Sequence, residues 1–276
     1  SIAKNGIVFD NFYSAGIHAF NGIYSTIYSF PALMAKHTME GVDIPEFTGL
    51  PYAAKANGYR TLYFTTHDDQ FDNVGGFVTK NSMDTVISKQ DYPSSAILST
   101  LGVPDHFMFD YAIPRLTDVA RSGKKFCAFM MTGSNHTPYT VPGDIAFKPK
   151  HPDYRGGCVE YADWSIGQLL QKASAQKWFS NTVFVFVADH GALEGINYGG
   201  MSLGYNHIPL IIYAPALIKS PVEIKSPGGQ IDVYPTVAGL LGLSYINNTM
   251  GVDLLHHSRP YICFSQDSRL CAADTQ

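Results

Sequence analysis

Apolar residues in this chain come in short unbroken runs separated by longer stretches of mixed character. Residues 61–65, 125–131, 182–187 and 209–213 are such runs, rich in β-branched and aromatic side chains, and each reads as a strand. Residues 6–12 read as one more. Between them, 104–122 predict a helix with one internal proline. Residues 159–176 place Tyr161, Trp164, Ile166, Leu169 and Leu170 close to helical period, and 231–241 predict a helix behind Gly228-Gly229 that stops at Gly242. Residues 32–40 and 49–57 read as helical or irregular cover. Strands alternating with helices point to an α/β fold, a mostly parallel sheet sandwiched by helices. The run 182–187 reads as a fully buried strand of the parallel type. After Gly251 the pattern changes, and 259–264 with 268–272 predict a small antiparallel appendage over 252–276 of an otherwise single domain spanning 1–276.

Composition narrows the classes. Hydrophobic residues make up 45% and charged residues 15% of the 276 positions, which describes a folded chain with a large core. The formal net charge is −4 and lysine and arginine do not cluster, so no nucleic acid is expected as a partner. No run approaches the roughly 18 apolar residues of a membrane span. The opening Ser1-Ile2-Ala3-Lys4-Asn5-Gly6 reads as the end of a helix already under way, so a longer parent protein is expected. Cys127 lies inside an apolar run and reads as a core thiol. Cys263 and Cys271 flank a hairpin-like segment, where a disulfide is possible in an oxidising compartment.

The candidate chemistry lies where these strands end. Asp189 and His190 follow the run 182–187 and are stopped by Gly191. Open α/β sheets put ligands at such tips, and a carboxylate beside an imidazole suits a divalent metal; the alternative is an aspartate capping a turn beside an unrelated histidine. The segment from Asn11 to Ile23 runs from a strand through small residues into a helix start, where free amides attract anions; it reads equally as an ordinary turn. His67, Asp68, Asp69 and Asp72 follow the strand 61–65, forming either a rim for a hydroxylated or anionic ligand or a solvated acidic loop. His136, behind the strand 125–131, suits donation to a phosphoryl oxygen or protonation of a leaving group, or else a backbone-bonded turn. His207, at the start of the strand 209–213, is a ligand or a packing histidine. His37, His106, His151, His256 and His257 have no supporting residues nearby.

In order and spacing these segments resemble the alkaline phosphatase superfamily, and within it the lipoteichoic acid synthase-like branch of the sulfatase family. The resemblance rests on Phe9-Asp10-Asn11-Phe12-Tyr13, on Gly16 to Gly22, on Thr132 to Tyr139, and on Tyr161-Ala162-Asp163-Trp164-Ser165-Ile166-Gly167. It continues through Asp189-His190-Gly191, Ile208-Pro209-Leu210 and Gly229-Gln230-Ile231-Asp232. The resemblance implies one divalent cation, manganese with magnesium or zinc as alternatives, held in part by Asp189 and His190. It implies a nucleophilic threonine that carries the transferred phosphoryl group covalently. His136 takes the position of a histidine that contacts substrate phosphate, His67 and Asp69 that of a loop recognising a glycerol-phosphate headgroup, and His18 and His207 further substrate contacts.

The chain departs from that pattern in two ways. The position of the nucleophile is Ala19, which has no oxygen to attack or to bind metal. A glutamate ligand belongs to a strand upstream of Ser1, so the domain is expected to lack its first strand here and to bind its cation weakly. What the resemblance implies is a phosphotransferase moving phosphoglycerol or phosphoethanolamine groups among phospholipid headgroups or cell-surface glycans. It would work at the extracytoplasmic face of a membrane, anchored by segments outside this chain. The alternatives are a sulfatase or phosphodiesterase, or an inactive domain that binds anionic glycans or lipids. Formylglycine sulfatases need Cys or Ser in a C/S-x-P-x-R context, and none of the four cysteines has it.

Overall fold

A computed structural model describes residues 2–41, 43–192, 197–198 and 201–274. In chain order the elements are β1 (Ile7–Phe9), β2 (Phe12–Tyr13), α1 (Ala19–Tyr28), α2 (Leu50–Ala56), β3 (Tyr59–Thr65), α3 (Val74–Lys80), β4 (Thr85–Ile87) and α4 (Asp105–Arg121). They continue with β5 (Lys125–Met131), α5 (Tyr154–Ser174), β6 (Phe184–Val187), β7 (Asn197–Tyr198), β8 (Met201–Ser202), β9 (Leu210–Tyr213) and β10 (Val222–Ile224). The last are β11 (Gly228–Gly229), α6 (Val233–Leu240), β12 (Ile262–Gln266) and β13 (Arg269–Ala273). The chain divides into two compact units, one formed by Ser1–Ala53 with Ser180–Gln276 and the other by Ala54–Phe179.

In the first unit the four-stranded sheet has the order β10-β1-β9-β6. β1 pairs parallel with β10 and antiparallel with β9, and β9 pairs antiparallel with β6. β1 and β6 therefore run the same way, and Phe9, Leu210 and Val187 lie level across the sheet. The C-terminal ends of β1 and β6 and the N-terminal end of β9 share one edge. β2 pairs parallel with β11. The helix α1 buries Ile23, Tyr24, Ile27 and Tyr28, and ends at Ser29, whose φ of 65° takes the chain out of the helix. The buried side chains of Phe9, Phe12, Leu210, Ile212 and Tyr234 belong to this unit.

The second unit is a three-stranded, wholly parallel sheet of order β4-β3-β5. Its core joins Leu62, Phe64 and Ile87 of the strands to Met108, Phe109, Ala112, Ile113 and Leu116 of α4 and Leu169 of α5. Pro114 lies inside α4, as the sequence predicts. Asp153 caps α5, its carboxylate accepting from the Gly156 amide at 2.7 Å. Thr65 and Met131 face each other across β3 and β5, so the loops that follow both strands leave from one edge.

The expected α/β class and the antiparallel C-terminal pair are present, and three local expectations need correction. The strand read over 182–187 begins at Phe184, is half-buried, and among the described residues pairs only antiparallel, with β9. An uninterrupted apolar run reports apolar surroundings, and carries no information on the direction of a neighbour. The strand read over 6–12 is two strands, β1 and β2, broken at Asp10 and Asn11. Cys263 and Cys271 do not pair: Cys271 faces Phe264 and Cys263 faces Ala272. Neighbouring strand residues point to opposite faces, so the two thiols lie on opposite sides of the hairpin. All four cysteines are free.

Candidate active site

The site is built from the residues that leave the shared edge of the first unit. After β2 the chain turns through Ser14, Ala15 and Gly16 and enters α1, with His18 as N-cap and Ala19 as the first helical residue. The carbonyl of His18 accepts from the Asn21 and Gly22 amides at 3.0 and 3.2 Å, so the amides of residues 19 and 20 precede the first intrahelical bond and face out of the helix end. Ala19 is half-buried, and its methyl side chain carries no oxygen.

Asp189 and His190 lie against this turn. A β-carbon on Gly22 would stand 2.4 Å from the Asp189 carbonyl oxygen and 2.6 Å from its Cα; only glycine lets the first turn of α1 come this close to the end of β6. Gln230, fully buried, joins the two segments. Its amide donates to the carbonyls of Ala188 at 2.9 Å and Asp189 at 2.7 Å, while its carbonyl accepts from the Ala15 amide at 2.8 Å. Asn206, also fully buried, donates to the Ser14 carbonyl at 3.2 Å, and its own carbonyl accepts from the Ser14 amide at 2.7 Å. The turn after the pair is held too, because the Gly191 amide donates to the Tyr205 carbonyl at 2.8 Å.

The pair fits a divalent cation. His190 Nδ1 lies 2.7 Å from the Gly191 carbonyl; a carbonyl only accepts, so Nδ1 carries the proton and Nε2 presents its lone pair. Nε2 and Asp189 Oδ2 are 3.5 Å apart. Two ligands at about 2.0–2.2 Å from one cation span a distance of this size. The Asp189 Oδ1 atom accepts from the His190 amide at 2.9 Å, which leaves Oδ2 for the ion.

His18 and His207 have partners of other kinds. His18 Nε2 is 2.7 Å from Asp267 Oδ1, and its ring stacks on Phe20. His207 precedes the antiparallel β9 and so lies at the site's edge of the sheet, but its Nε2 donates to the Asp10 carbonyl at 2.7 Å and its ring packs on Tyr13 at 5.3 Å.

The second unit holds His67, Asp69 and His136 at the common edge of β3 and β5. His67 Nδ1 is bound to the Asp68 carbonyl at 2.9 Å. Asp69 lies over Gly75, where a β-carbon would stand 2.2 Å from its Oδ2. His136 is exposed, with Nδ1 on the Thr137 carbonyl at 2.6 Å, and lines a shallow cleft with Leu98, Leu101, Ser134, Pro138 and Thr140. Its turn is held by Asp105, whose Oδ1 accepts from the Gly133 and Ser134 amides at 2.9 and 3.1 Å. Burial pushes the Asp105 carboxyl above the ordinary range, opposed by these amides. Sequence reasoning did not single out Gln230, Asn206 or Asp105 as functional. Gln230 stood in a matching segment, but a buried amide leaves no periodic signal.

Comparison with known proteins agrees with this architecture. The sulfatase family model matches residues 1–243, and the chain belongs to that family. Among solved structures, a protein of the alkaline phosphatase superfamily from Vibrio parahaemolyticus superposes with a TM-score of 0.89 at 23% identity, covering 99% of this chain and 67% of that one. The lipoteichoic acid synthase LtaP from Listeria monocytogenes superposes at 0.82 with 22% identity, covering 96% and 70%. Human steryl-sulfatase is 31% identical over 124 residues, 39% of this chain and 21% of that protein. Phosphoglycerol transferase I of Xanthomonas campestris is 24% identical over 232 residues, 80% of this chain. The chain spans 21% of the first of these curated relatives and 32% of the second.

Proposed function

We propose that this chain is the core of an extracytoplasmic phosphotransferase domain of the lipoteichoic acid synthase type, a type that moves phosphoglycerol or phosphoethanolamine groups between lipid headgroups or cell-surface glycans, with turnover disabled here by alanine at the nucleophile position. The observation that carries the reading is the 3.5 Å pair of Asp189 Oδ2 and His190 Nε2, set against the helix start that bears Ala19. Asp189 and His190 would hold one divalent cation, which supplies positive charge for the phosphoryl oxygens. The first amides of α1 attract the same anionic group. The family resemblance assigns a phosphate contact to His136, whose Nε2 would donate only with the ring protonated because Nδ1 is bound to the Thr137 carbonyl, and headgroup recognition to His67 and Asp69. Support for the transferase over a sulfatase comes from the nucleophile turn, which has no C/S-x-P-x-R sequence, and from the phosphoglycerol transferase relative that covers 80% of the chain.

A second reading is favoured by Ala19 itself. Without an oxygen at this position the domain binds anionic headgroups and turns none over. The intact protein and its Ala19→Thr variant separate the two readings. Metal content by mass spectrometry and release of glycerol phosphate from phosphatidylglycerol are measured in parallel. The transferase reading expects manganese bound through His190, tighter in the threonine variant, and turnover in that variant alone. Metal in neither form, with headgroup binding retained, leaves the binding domain.

A further inference from the structure

We propose that the C-terminal hairpin is a wall of the candidate active site, and that Asp267 at its tip is a positioning residue that holds His18 for the anionic headgroup of the substrate. The proposal rests on the function proposed above for its substrate class, while the placement of the residues stands on geometry alone.

The hairpin is docked on the turn that leads into α1. The Ser265 amide donates to the Ala15 carbonyl at 2.9 Å, and the Ser265 hydroxyl donates to the same oxygen at 3.2 Å. The Gln266 side chain donates to Asn206 Oδ1 at 2.7 Å, and Asn206 is the residue that holds Ser14 from the other side. Phe264 stacks on Tyr13 with ring centres 5.3 Å apart and planes 5° from parallel. Ile262 comes so near to Gly229 that a β-carbon there would lie 2.9 Å from its Cγ1. Residues 13, 15 and 206 thus fix one strand of the hairpin in place, and the Ala15 carbonyl to which β12 bonds belongs to a residue that Gln230 also binds.

Asp267 follows β12 directly and has a φ of 51°, a conformation that aspartate tolerates in tight turns. From there its Oδ1 accepts from His18 Nε2 at 2.7 Å. His18 is the N-cap of α1, yet its side chain makes no capping bond to its own helix; it turns to the hairpin. The other constraint on its ring is the stack on Phe20, 5.4 Å between centres and 5° from parallel. The side chains of His18 and Asp267 are 48% and 64% exposed. A pair this open to water contributes little to stability, so its consequence is orientation. It fixes the imidazole of the N-cap residue, at the helix end whose first amides attract a phosphate-like group.

The test uses glycerol phosphate as probe and the histidine ring signals of the unaltered protein as reporter, with His18 assigned from the His18→Gln variant. The expected result is a shift of the His18 signal on titration, with Kd about tenfold weaker in Asp267→Ala, equivalent to about 1.4 kcal/mol, and partly restored in Asp267→Glu. His18→Gln should weaken binding equally, and combining it with Asp267→Ala should add little, because both remove one unit. Asp267→Gly, which suits the φ of 51° and also removes the acceptor, serves if the alanine variant loses the Tyr13–Phe264 ring contact. Unchanged affinity in Asp267→Ala and Asp267→Gly, additive losses, or a probe that leaves His18 unmoved overturns the proposal. Failure of the phosphotransferase reading is seen separately, as absence of divalent cation at Asp189 and His190, and the His18 titration still decides the role of Asp267.

Discussion

Gly22 lies with its Cα against the backbone of Asp189, and a β-carbon added there would stand 2.4 Å from the Asp189 carbonyl oxygen. That contact joins the helix that begins at Ala19 to the strand end that carries the acid–imidazole pair. Alanine would favour the helix itself by about 1 kcal/mol. The overlap with main chain, which cannot rotate away, costs about 1–3 kcal/mol or more, and the overlap wins. Gly22→Ala is expected to lower the unfolding midpoint in urea and to weaken divalent-cation uptake. A variant as stable as the parent would show that α1 is free to shift.

Gln230 has a second, independent hold on the same place. Replacing it with leucine leaves the Ala15 amide and two carbonyls buried without their partner, at about 1–3 kcal/mol for the group left unsatisfied. Gln230→Leu should lose that much stability in urea unfolding. Gln230→Glu should do worse, since a carboxylate would face the carbonyl oxygens of Ala188 and Asp189 that the amide now binds.

Asp105 gives a pH dependence whose sign can be worked out. Burial raises its pKa in the folded protein, so the folded chain keeps the proton to higher pH than the unfolded chain, which loses it near pH 4. Folding takes up a proton in that window, and the stability linked to this group is full below the unfolded pKa and falls as pH rises through the folded one. Urea titrations across this range should show the decline. Asp105→Asn should flatten it while keeping an oxygen for the Gly133 and Ser134 amides. An undiminished slope in that variant would assign the dependence to another group.

Arg259 and Asp232 tie the segment before the hairpin to the start of α6. The guanidinium Nη2 is 2.7 Å and Nε 3.0 Å from Asp232 Oδ1, and the Asp232 side chain is fully buried. Burial raises the Asp232 carboxyl, and Arg259 opposes the rise. Arg259→Leu would leave an uncompensated buried charge and should cost about 3–5 kcal/mol. Adding Asp232→Asn should recover much of the loss, a coupling that a thermodynamic cycle of the two variants reads directly.

Much of the fold was legible along the chain. The runs that became β3, β5, β6 and β9, and the helices α4, α5 and α6, follow from unbroken apolar stretches and from helical period, because local pattern reports which side chains must leave water. Strand direction was not legible. β9 runs against β1 and β6, and so His207, at the beginning of a strand, comes to the same edge as residues that follow strands.

The candidate residues divide in the same way. Asp189, His190 and Ala19 are matters of residue identity, and the sequence alone names them. That His190 turns Nε2 toward Asp189 Oδ2 depends on the Gly191 carbonyl, and that Ala15, Asp189 and Gln230 meet depends on segments more than 40 positions apart. Residue types determine what chemistry is available, since a carboxylate or an imidazole has the same capacities wherever it stands. Which of them act together was decided by tertiary structure: hydrogen bonds and close backbone contacts act over a few ångströms of space, and separation along the chain does not measure that distance.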